Sequence, residues 1–192
     1  MKSLVTALTG LLLLGGCASQ TPNYIVLDPQ LQGISQQTAQ ALPLSVSTRD
    51  LRTANYVVKF DEGDGAAKLV SPSDSPRAQL EALLRKGFAD AGYSIDPASA
   101  RSLHVDLDQL LTLVTESTFG YEANTRIDIK VLATNGSHTL AKEFRTKGMR
   151  QGAMSADFAT LELELNKLMT QIATAVIQDK ELNEFLTQGG QQ

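Results

Sequence analysis

The amino-acid sequence predicts an α+β domain, with a mostly antiparallel sheet of about five to six strands and two helices packed on one face. Several segments alternate apolar with polar residues, which is the period of a half-buried strand, and two longer segments repeat apolar residues at helical spacing. Turn-forming residues separate these segments. We predict a cleaved signal peptide over 1–16, a flexible tether over 17–41, one domain over 42–188 and a frayed tail over 189–192.

The first three strands of the domain are predicted from alternation and turn residues. Residues 42–46 alternate apolar with polar side chains, and Pro43 belongs at the start or the edge of such a strand. Residues 56–60 and 67–70 form two further short strand segments. The glycines between them suit a hairpin loop, because glycine takes positive φ without steric cost.

The first helix has clear boundaries in the sequence. Ser75 is placed to be its N-cap, Pro76 to be its first residue, and Gly92 lies just past its end. Apolar residues at helical spacing give this helix one face that packs on the sheet: Leu80, Leu83, Leu84, Phe88 and Ala91.

The next strand is predicted to carry one histidine and two carboxylates on its solvated face. His104, Asp106 and Asp108 alternate there with apolar residues, a spacing that could bind a divalent metal. Any strand with one solvated face and charged cross-strand neighbours has the same pattern, so we favour that interpretation and predict no metal site. Past Asp108, residues 110–114 are apolar on both faces, which predicts that the helices or a partner cover this end.

A long β-hairpin is the best specified tertiary feature. Alternating apolar residues run over 123–133 and are followed by Asn135-Gly136. Asn-Gly is the strongest short hairpin signal, because a type I′ turn needs positive φ at both central positions. The returning strand is predicted to reach about Lys147.

The last long helix is predicted to begin at the N-cap Ser155. Asp179 can start a further short helix that carries Leu182, Phe185 and Leu186. The long helix buries one apolar stripe, formed by Phe158, Leu161, Leu165, Leu168, Met169, Ile172 and Val176.

Four residues are candidates for contact with a partner. Leu163 and Ile177 lie off the apolar stripe, so they are either scattered exposed side chains or part of a binding patch. Asp50 and Arg52 share one face of an extended segment and could form an ion pair or contact a partner. Since an exposed ion pair contributes only about 0–1 kcal/mol, we favour the simple ion pair.

The N-terminus has the parts of an export signal. Lys2 makes the start basic, and the apolar stretch that follows is shorter than the roughly 20 residues of a membrane-spanning helix. The segment Leu14-Gly15-Gly16-Cys17 then resembles the lipobox of bacterial lipoproteins, which are cut just before the cysteine and acylated on it. This resemblance implies a diacylglycerol and an N-acyl lipid on Cys17, and we expect no other cofactor.

The alternative for Cys17, the only cysteine of the chain, is an ordinary signal peptide followed by a spare thiol. Ala18 stands where enteric bacteria tend to have an aspartate in lipoproteins retained at the inner membrane, so the analogy favours the outer membrane. The tether is rich in polar residues and proline, and if flexible it spans roughly 25–30 Å. Its one apolar cluster, at 24–27, would otherwise add an edge strand.

The composition excludes some classes of partner. The chain has 17 basic and 21 acidic residues, so it lacks the positive charge that binding to nucleic acid requires. It contains no tryptophan and few aromatic residues, which argues against a stacking platform for bases or sugars. The partners that we expect are a membrane, through the lipid anchor that the lipobox resemblance implies, and another envelope protein.

The chain resembles the YajG family of bacterial lipoproteins over most of its length. The lipobox, the Asp50-x-Arg52 segment, the helix end at 91–93, the strand over 124–135 and the C-terminal segment 179–185 carry the resemblance. It implies an outer-membrane lipoprotein that faces the periplasm of a Gram-negative cell. It brings no known catalytic residues.

The favoured function is a non-enzymatic one, in which the anchored domain binds or helps to assemble another envelope component. No nucleophile, base and orienting group stand at a recognisable spacing, so no catalytic residue is predicted. The alternative is a carrier of small molecules or lipids, which would need an enclosed apolar cavity of about 300 Å³ or more. A hydrolase that uses His104, Asp106 or Asp108 ranks third.

Overall fold

The computed structural model describes residues 24–61, 63 and 65–188. The predicted signal peptide with Leu14, Gly15 and Gly16, the predicted acylation site Cys17 and the predicted tail lie outside the described residues, so they stay predictions. Within the described part, none of the helices has both the length and the apolar composition needed to cross a bilayer.

The described chain forms eight strands and three helices. In chain order the elements are β1 (Tyr24–Ile25), β2 (Pro43–Asp50), β3 (Val58–Asp61), β4 (Lys68–Pro72), α1 (Pro76–Asp90), β5 (Ser94–Ile95), β6 (Ser102–Ser117), β7 (Gly120–Asn135), β8 (His138–Ala153), α2 (Phe158–Ile177) and α3 (Lys180–Thr187). The last three strands, β6, β7 and β8, are each 16 residues long and form an antiparallel meander.

Strand β6 is the strand to which most of the sheet is attached. One edge of β6 pairs in parallel with β2 along its first half and with β3 along its second half, and its other edge pairs antiparallel with β7. Strand β4 pairs antiparallel with β3, while β1 adds in parallel to β4 and β5 adds in parallel to β2. The result is one mixed sheet of eight strands.

The α+β class is confirmed, but the predicted mostly antiparallel sheet of about five to six strands is wrong. Parallel neighbours need a crossover connection, and α1 lies in the crossover between β2 and β6. Alternation in a sequence shows that one face of a strand is buried and says nothing about the direction of its neighbours. Strands β1 and β5 have two residues each, too few for a periodic signal.

Three helices pack on the sheet, where the sequence predicted two. The additional helix is α3, the short helix expected after Asp179, whose side chain accepts a hydrogen bond from the backbone N–H of Leu182 at 2.8 Å. Asn183 holds helix α3 in the core, because its side chain accepts a hydrogen bond from the buried Tyr93 hydroxyl at 2.9 Å. Burial raises the pKa of Tyr93 to about 12, so this hydroxyl stays protonated and donates.

The helix caps follow the sequence at α1 and differ at α2. Ser75 caps α1 by accepting from the backbone N–H of Ala78, as predicted. Helix α2 is capped by Asp157, not by Ser155, because the Asp157 carboxylate accepts from the backbone N–H of Thr160 at 2.8 Å. Asp157 directly precedes the helix, whereas Ser155 lies two residues further from it.

The hairpin between β7 and β8 is confirmed, but its turn lies one residue later than predicted. Asn135 pairs with His138, so Gly136 and Ser137 are the central residues of the turn. Gly136 has φ of 63°, and no non-glycine residue in the turn has positive φ. Positive φ at the first central position alone is the pattern of a type II′ turn, which requires glycine there, and not of the predicted type I′ turn.

Residues 24–41 pack against the domain, which corrects the prediction that they belong to a flexible tether. Ile25 and Leu27 are fully buried, and β1 is the edge strand that was the alternative for 24–27. Two side chains of α2 fix the segment: Glu162 accepts from the backbone N–H of Val26 at 2.7 Å, and Asn166 accepts from that of Asp28 at 2.9 Å. The folded unit therefore includes Tyr24.

Ile177 is buried, so the prediction that it is an exposed residue off the apolar stripe is wrong. The reason is the close approach of α1 to α2 at Gly87, where a Cβ atom would overlap Cδ1 of Ile177. Helix α2 is thus covered by the sheet on one side and by α1 on another. Ile177 is removed from the candidates for contact with a partner.

The packing of residues 24–41 can be tested with two neighbouring substitutions. We expect Leu27→Ala to lower the free energy of unfolding by about 2–5 kcal/mol, because it leaves a cavity between the segment and the core. Val26→Ala, at a side chain 44% exposed, should change it by less than about 0.5 kcal/mol. Urea unfolding measures both values. Two equally small effects would mean that the segment is a tether after all.

Candidate functional site

Strand β6 changes its buried face part-way along its length. Its register with β7 slips between Leu107 and Gln109, which leaves Asp108 as the extra residue of a β-bulge. Leu107 faces the core before the bulge, whereas Leu110 and Val114 face it afterwards. Successive side chains of a strand point to opposite faces of the sheet. One extra residue therefore moves every later side chain of the strand to the opposite face.

The bulge places two leucines on the sheet face that points away from the helices, which we call the outward face. Leu111 is half-buried there and Leu113 is 46% exposed. Met149, 63% exposed, stands in the same row, because Leu113 and Met149 both pair with Asn124 of the strand between them. The run 110–114 is apolar on both faces because the helices cover one set of its side chains and the other set lies outward.

An open groove of about 510 Å³ crosses β6, β7 and β8 on the outward face. We call it the outward groove. Leu111, Leu113 and Met149 form its apolar part, and Asn124, Arg126 and Lys147 add polar groups. Gln109, Thr125 and Gly148 complete its lining.

The outward groove has charges of both signs at its borders, because the Glu122 carboxylate accepts a hydrogen bond from the side chain of Asn124 at 2.7 Å and basic side chains lie along the groove. Arg126 is neutralised by Asp128, with its Nη2 2.7 Å from a carboxylate oxygen. Lys147 in the lining, and Lys59 next to Leu113 in the sheet, make no ion pair with any residue that the structure describes. The site therefore combines exposed apolar side chains with available ammonium groups.

The histidine and carboxylates predicted on the solvated face lie on the outward face, but they do not form a metal site. Asp106 accepts two hydrogen bonds from Arg49, at 2.8 and 2.9 Å, and one of its oxygens lies 3.2 Å from Nε2 of His104. Asp108 pairs instead with Lys130, at 3.0 Å. Across the described ranges, no group of three or more His, Cys, Asp or Glu side chains is arranged to hold a metal ion.

The charge pairs also set the protonation of these groups. The hydrogen bonds from Arg49 hold the pKa of Asp106 below its ordinary value. The hydrogen bond to Asp108 raises the pKa of Lys130. Asp106 is therefore an ionised partner of Arg49 at neutral pH and is unsuited to be a general acid.

Asp50 and Arg52 form the ion pair that the sequence favoured. Nε and Nη2 of Arg52 donate to the two carboxylate oxygens of Asp50, at 3.0 and 2.9 Å. Burial works to raise the pKa of Asp50, but the hydrogen bonds from Arg52 outweigh it and lower the pKa. The Arg52 side chain is only 8% exposed and lines a smaller cleft of about 180 Å³ beside the outward groove.

The structure does not bring together the residues that the sequence suggested for contact with a partner. Leu163 is 73% exposed on the outer side of α2, across the sheet from the outward groove, and Ile177 is buried. The sequence analysis did not identify Met149, Lys147 or Asn124 as residues of a binding site. Strand β8 lacks a clear apolar alternation, so the sequence did not indicate that it contributes to a site. The sequence pointed to this site only through residues 110–114, which are apolar on both faces of the strand.

The chain is similar in sequence to a family of lipoproteins. The family model Lipoprotein_16, described as an uncharacterised lipoprotein, matches residues 29–187. The uncharacterised lipoprotein YajG of Escherichia coli K12 is 26% identical over 190 residues, which is 97% of each chain. YajG of Escherichia coli O6:H1 has the same identity and coverage.

Two solved structures share the fold. A crystal structure of a protein from Xanthomonas campestris superposes with a TM-score of 0.60 at 13% identity and covers 84% of this chain and 96% of its own. A crystal structure of an uncharacterised protein gives a TM-score of 0.51 at 10% identity and covers 81% of this chain and 98% of its own. At these identities the similarity extends to the fold alone.

The ion pair of Asp106 predicts a pH-dependent stability. The pKa is lowered in the folded protein, so the ionised carboxylate stabilises the fold above the unfolded pKa of about 3.9, and this contribution is lost as the pH falls through the folded pKa. We expect Asp106→Asn to be less stable than the wild type at pH 7 and the difference to shrink below about pH 4. Urea unfolding across this pH range measures the difference.

The control is the double-mutant cycle with Arg49→Gln. If Arg49 is the main partner of Asp106, the double variant should lose less than the sum of the two single variants at pH 7. Additive losses, or a difference that is the same at every pH, would show that the pair is not formed.

Proposed function

Because the chain belongs to the family of uncharacterised lipoproteins described by Lipoprotein_16, which includes YajG, we propose that it is a lipid-anchored envelope protein whose outward groove binds another envelope protein. Membership of this family was the resemblance found in the sequence, and it is confirmed. The proposal has two parts, the anchor at Cys17 and the binding surface on the sheet.

The anchor is supported by the family and by the motif before Cys17. A diacylglycerol and an N-acyl lipid on this thiol would hold the domain at a membrane surface, because each buried methylene contributes about 0.8 kcal/mol. Ala18 after the cysteine favours the outer membrane, with the domain on the periplasmic side. Residues 18–23 would then connect the lipid to the first described residue, Tyr24.

The outward groove is the observation that carries the binding role. Three apolar side chains, Leu111, Leu113 and Met149, stand together on a face that no part of the described chain covers. Exposed apolar side chains that stand together on one face of a folded domain suit contact with a partner. Lys59 and Lys147 beside them suit a protein segment that carries apolar side chains flanked by carboxylates.

The groove favours a protein partner over the carrier that was the alternative. A carrier encloses its ligand in an apolar cavity, whereas this groove is open to solvent along its length. The hydrolase has less support, since Asp106 and Asp108 are engaged by Arg49 and Lys130. The descriptions of the relatives indicate no enzymatic activity.

The proposal is tested by photocrosslinking in intact cells. A photoreactive amino acid in place of Met149, in the full acylated chain, should give an adduct of one defined mass. We expect Leu113→Asn to lower the yield of this adduct about tenfold, which corresponds to about 1.4 kcal/mol of binding free energy. Leu163→Asn makes the same exchange on the helical side and should leave the yield unchanged.

Two further arms separate the anchor from the groove. Cys17→Ser should leave an unacylated protein that extracts without detergent and forms little adduct, because it is no longer concentrated at the membrane. A photoreactive residue at Leu163 that captures the partner, together with none captured at Met149, would show that the helical side is the binding surface. A Cys17→Ser protein that stays membrane-bound would contradict the anchor.

A further inference from the structure

The end of the sheet at the β6–β7 turn carries two strongly exposed apolar side chains. Phe119 in that turn is 90% exposed, and Met154, just after β8, is 79% exposed. Gly120, next to Phe119, pairs with Ala153, next to Met154, so the two side chains belong to one end of the domain. We call it the Phe119 end. The opposite end of the same strands carries the turn at Gly136 and Ser137.

The backbone at the Phe119 end is ordered around these side chains. The Ser117 hydroxyl donates to the carbonyl of Gly120 at 3.0 Å and accepts from the backbone N–H of Phe119 at 3.4 Å. Met154 has φ of 64° and is the one non-glycine residue with positive φ in the described part of the chain. Such a conformation is unfavourable for a large side chain, and residues held this way concentrate at functional positions.

The chain enters the sheet from the direction of the Phe119 end. Tyr24 pairs with Ser71, and β1 runs parallel to β4, whose first residue, Lys68, lies beside Phe60. Phe60 in turn pairs with Val114, near the turn that carries Phe119. Moving back along β1 from Ile25 to Tyr24 therefore moves toward the Phe119 end.

The short distance between Cys17 and Tyr24 limits which end can reach a membrane. The seven residue steps between them extend at most about 25 Å. The pairing of neighbouring strands places Tyr24 level with Leu111. At roughly 3.3 Å per residue along the strands, the Phe119 turn is about 23 Å from Leu111 in one direction. The turn at Ser137 is about 33 Å from it in the other direction, at the same rise per residue of about 3.3 Å. The segment between Tyr24 and an anchored Cys17 is therefore long enough for the Phe119 turn to lie at the membrane surface. It is too short for the turn at Ser137 to do so.

We propose that the Phe119 end rests on the phospholipid surface in which Cys17 is anchored, with Phe119 and Met154 inserted into the interfacial region. This inference rests on the proposed acylation of Cys17. Apolar side chains enter the boundary between head groups and acyl chains to a depth of about 5–10 Å, which suits two residues at the tip of a turn. Met149 lies five residues before Met154, so the outward groove stands beside the membrane surface and stays accessible to a protein.

The test uses the full chain, acylated at Cys17, in vesicles of phosphatidylethanolamine and phosphatidylglycerol. Since Cys17 is the one native cysteine and is blocked by lipid, a single new thiol can carry an environment-sensitive fluorophore. Thr118→Cys labels the Phe119 end without removing Phe119 or Met154, Met149→Cys labels the outward groove, and Ser137→Cys labels the opposite end. Spin-labelled lipid should quench the label at position 118 at least about twofold and leave the other two nearly unchanged.

The matched variants assign this quenching to the two side chains. Phe119→Ser with Met154→Ser should remove most of the quenching at position 118, whereas Leu163→Ser should not. Strong quenching at position 149 would mean that the outward face lies on the membrane and would overturn the inference, as would an unquenched label at position 118. A mass without acyl chains on Cys17 would overturn the proposed anchor and this inference together, whereas an acylated chain unquenched at position 118 overturns the inference alone.

Discussion

The β-bulge at Asp108 is the constraint on which the outward face depends. A regular strand of 16 residues would keep one set of side chains inward throughout, and Leu111 and Leu113 would then be core residues. The extra residue turns them outward and brings Leu110 and Val114 into the core in their place. The bulged strand pairs with β2 and β3 in succession, keeps core residues under the helices on both sides of the bulge, and presents an apolar surface to the outside.

Much of the fold follows from the sequence, because it rests on local patterns. The alternation over 123–133 and the helical stripe of α2 identify residues that are buried in the structure, and Ser75 caps α1 as its position suggests. What the sequence lacked was information about neighbours. The parallel pairing of β2 and β3 with β6, and the burial of Ile177 against Gly87, are set by contacts between distant segments, which no local period encodes.

The candidate site was less predictable than the core. The run 110–114 indicated that both faces of β6 are apolar, but the groove also needs Lys147 and Met149, whose place depends on the register of β8. The segment 24–41 shows the same limit, since its polar composition suggests a tether while Ile25 and Leu27 bury their side chains against the core. Its packing matters for function, because it fixes where the proposed anchor leaves the domain and hence which end of the sheet faces the lipid.

One direct measurement tests whether the bulge turns Leu113 outward while Leu110 stays inward. Leucine methyl signals of the folded protein can be recorded by NMR with and without a soluble gadolinium chelate, which broadens only methyl groups that solvent reaches. The bulge requires strong broadening for Leu113, with Leu107 and Leu110 almost unaffected. Strong broadening of Leu110 together with a protected Leu113 would show that β6 does not exchange its faces, and the outward groove would lose its basis.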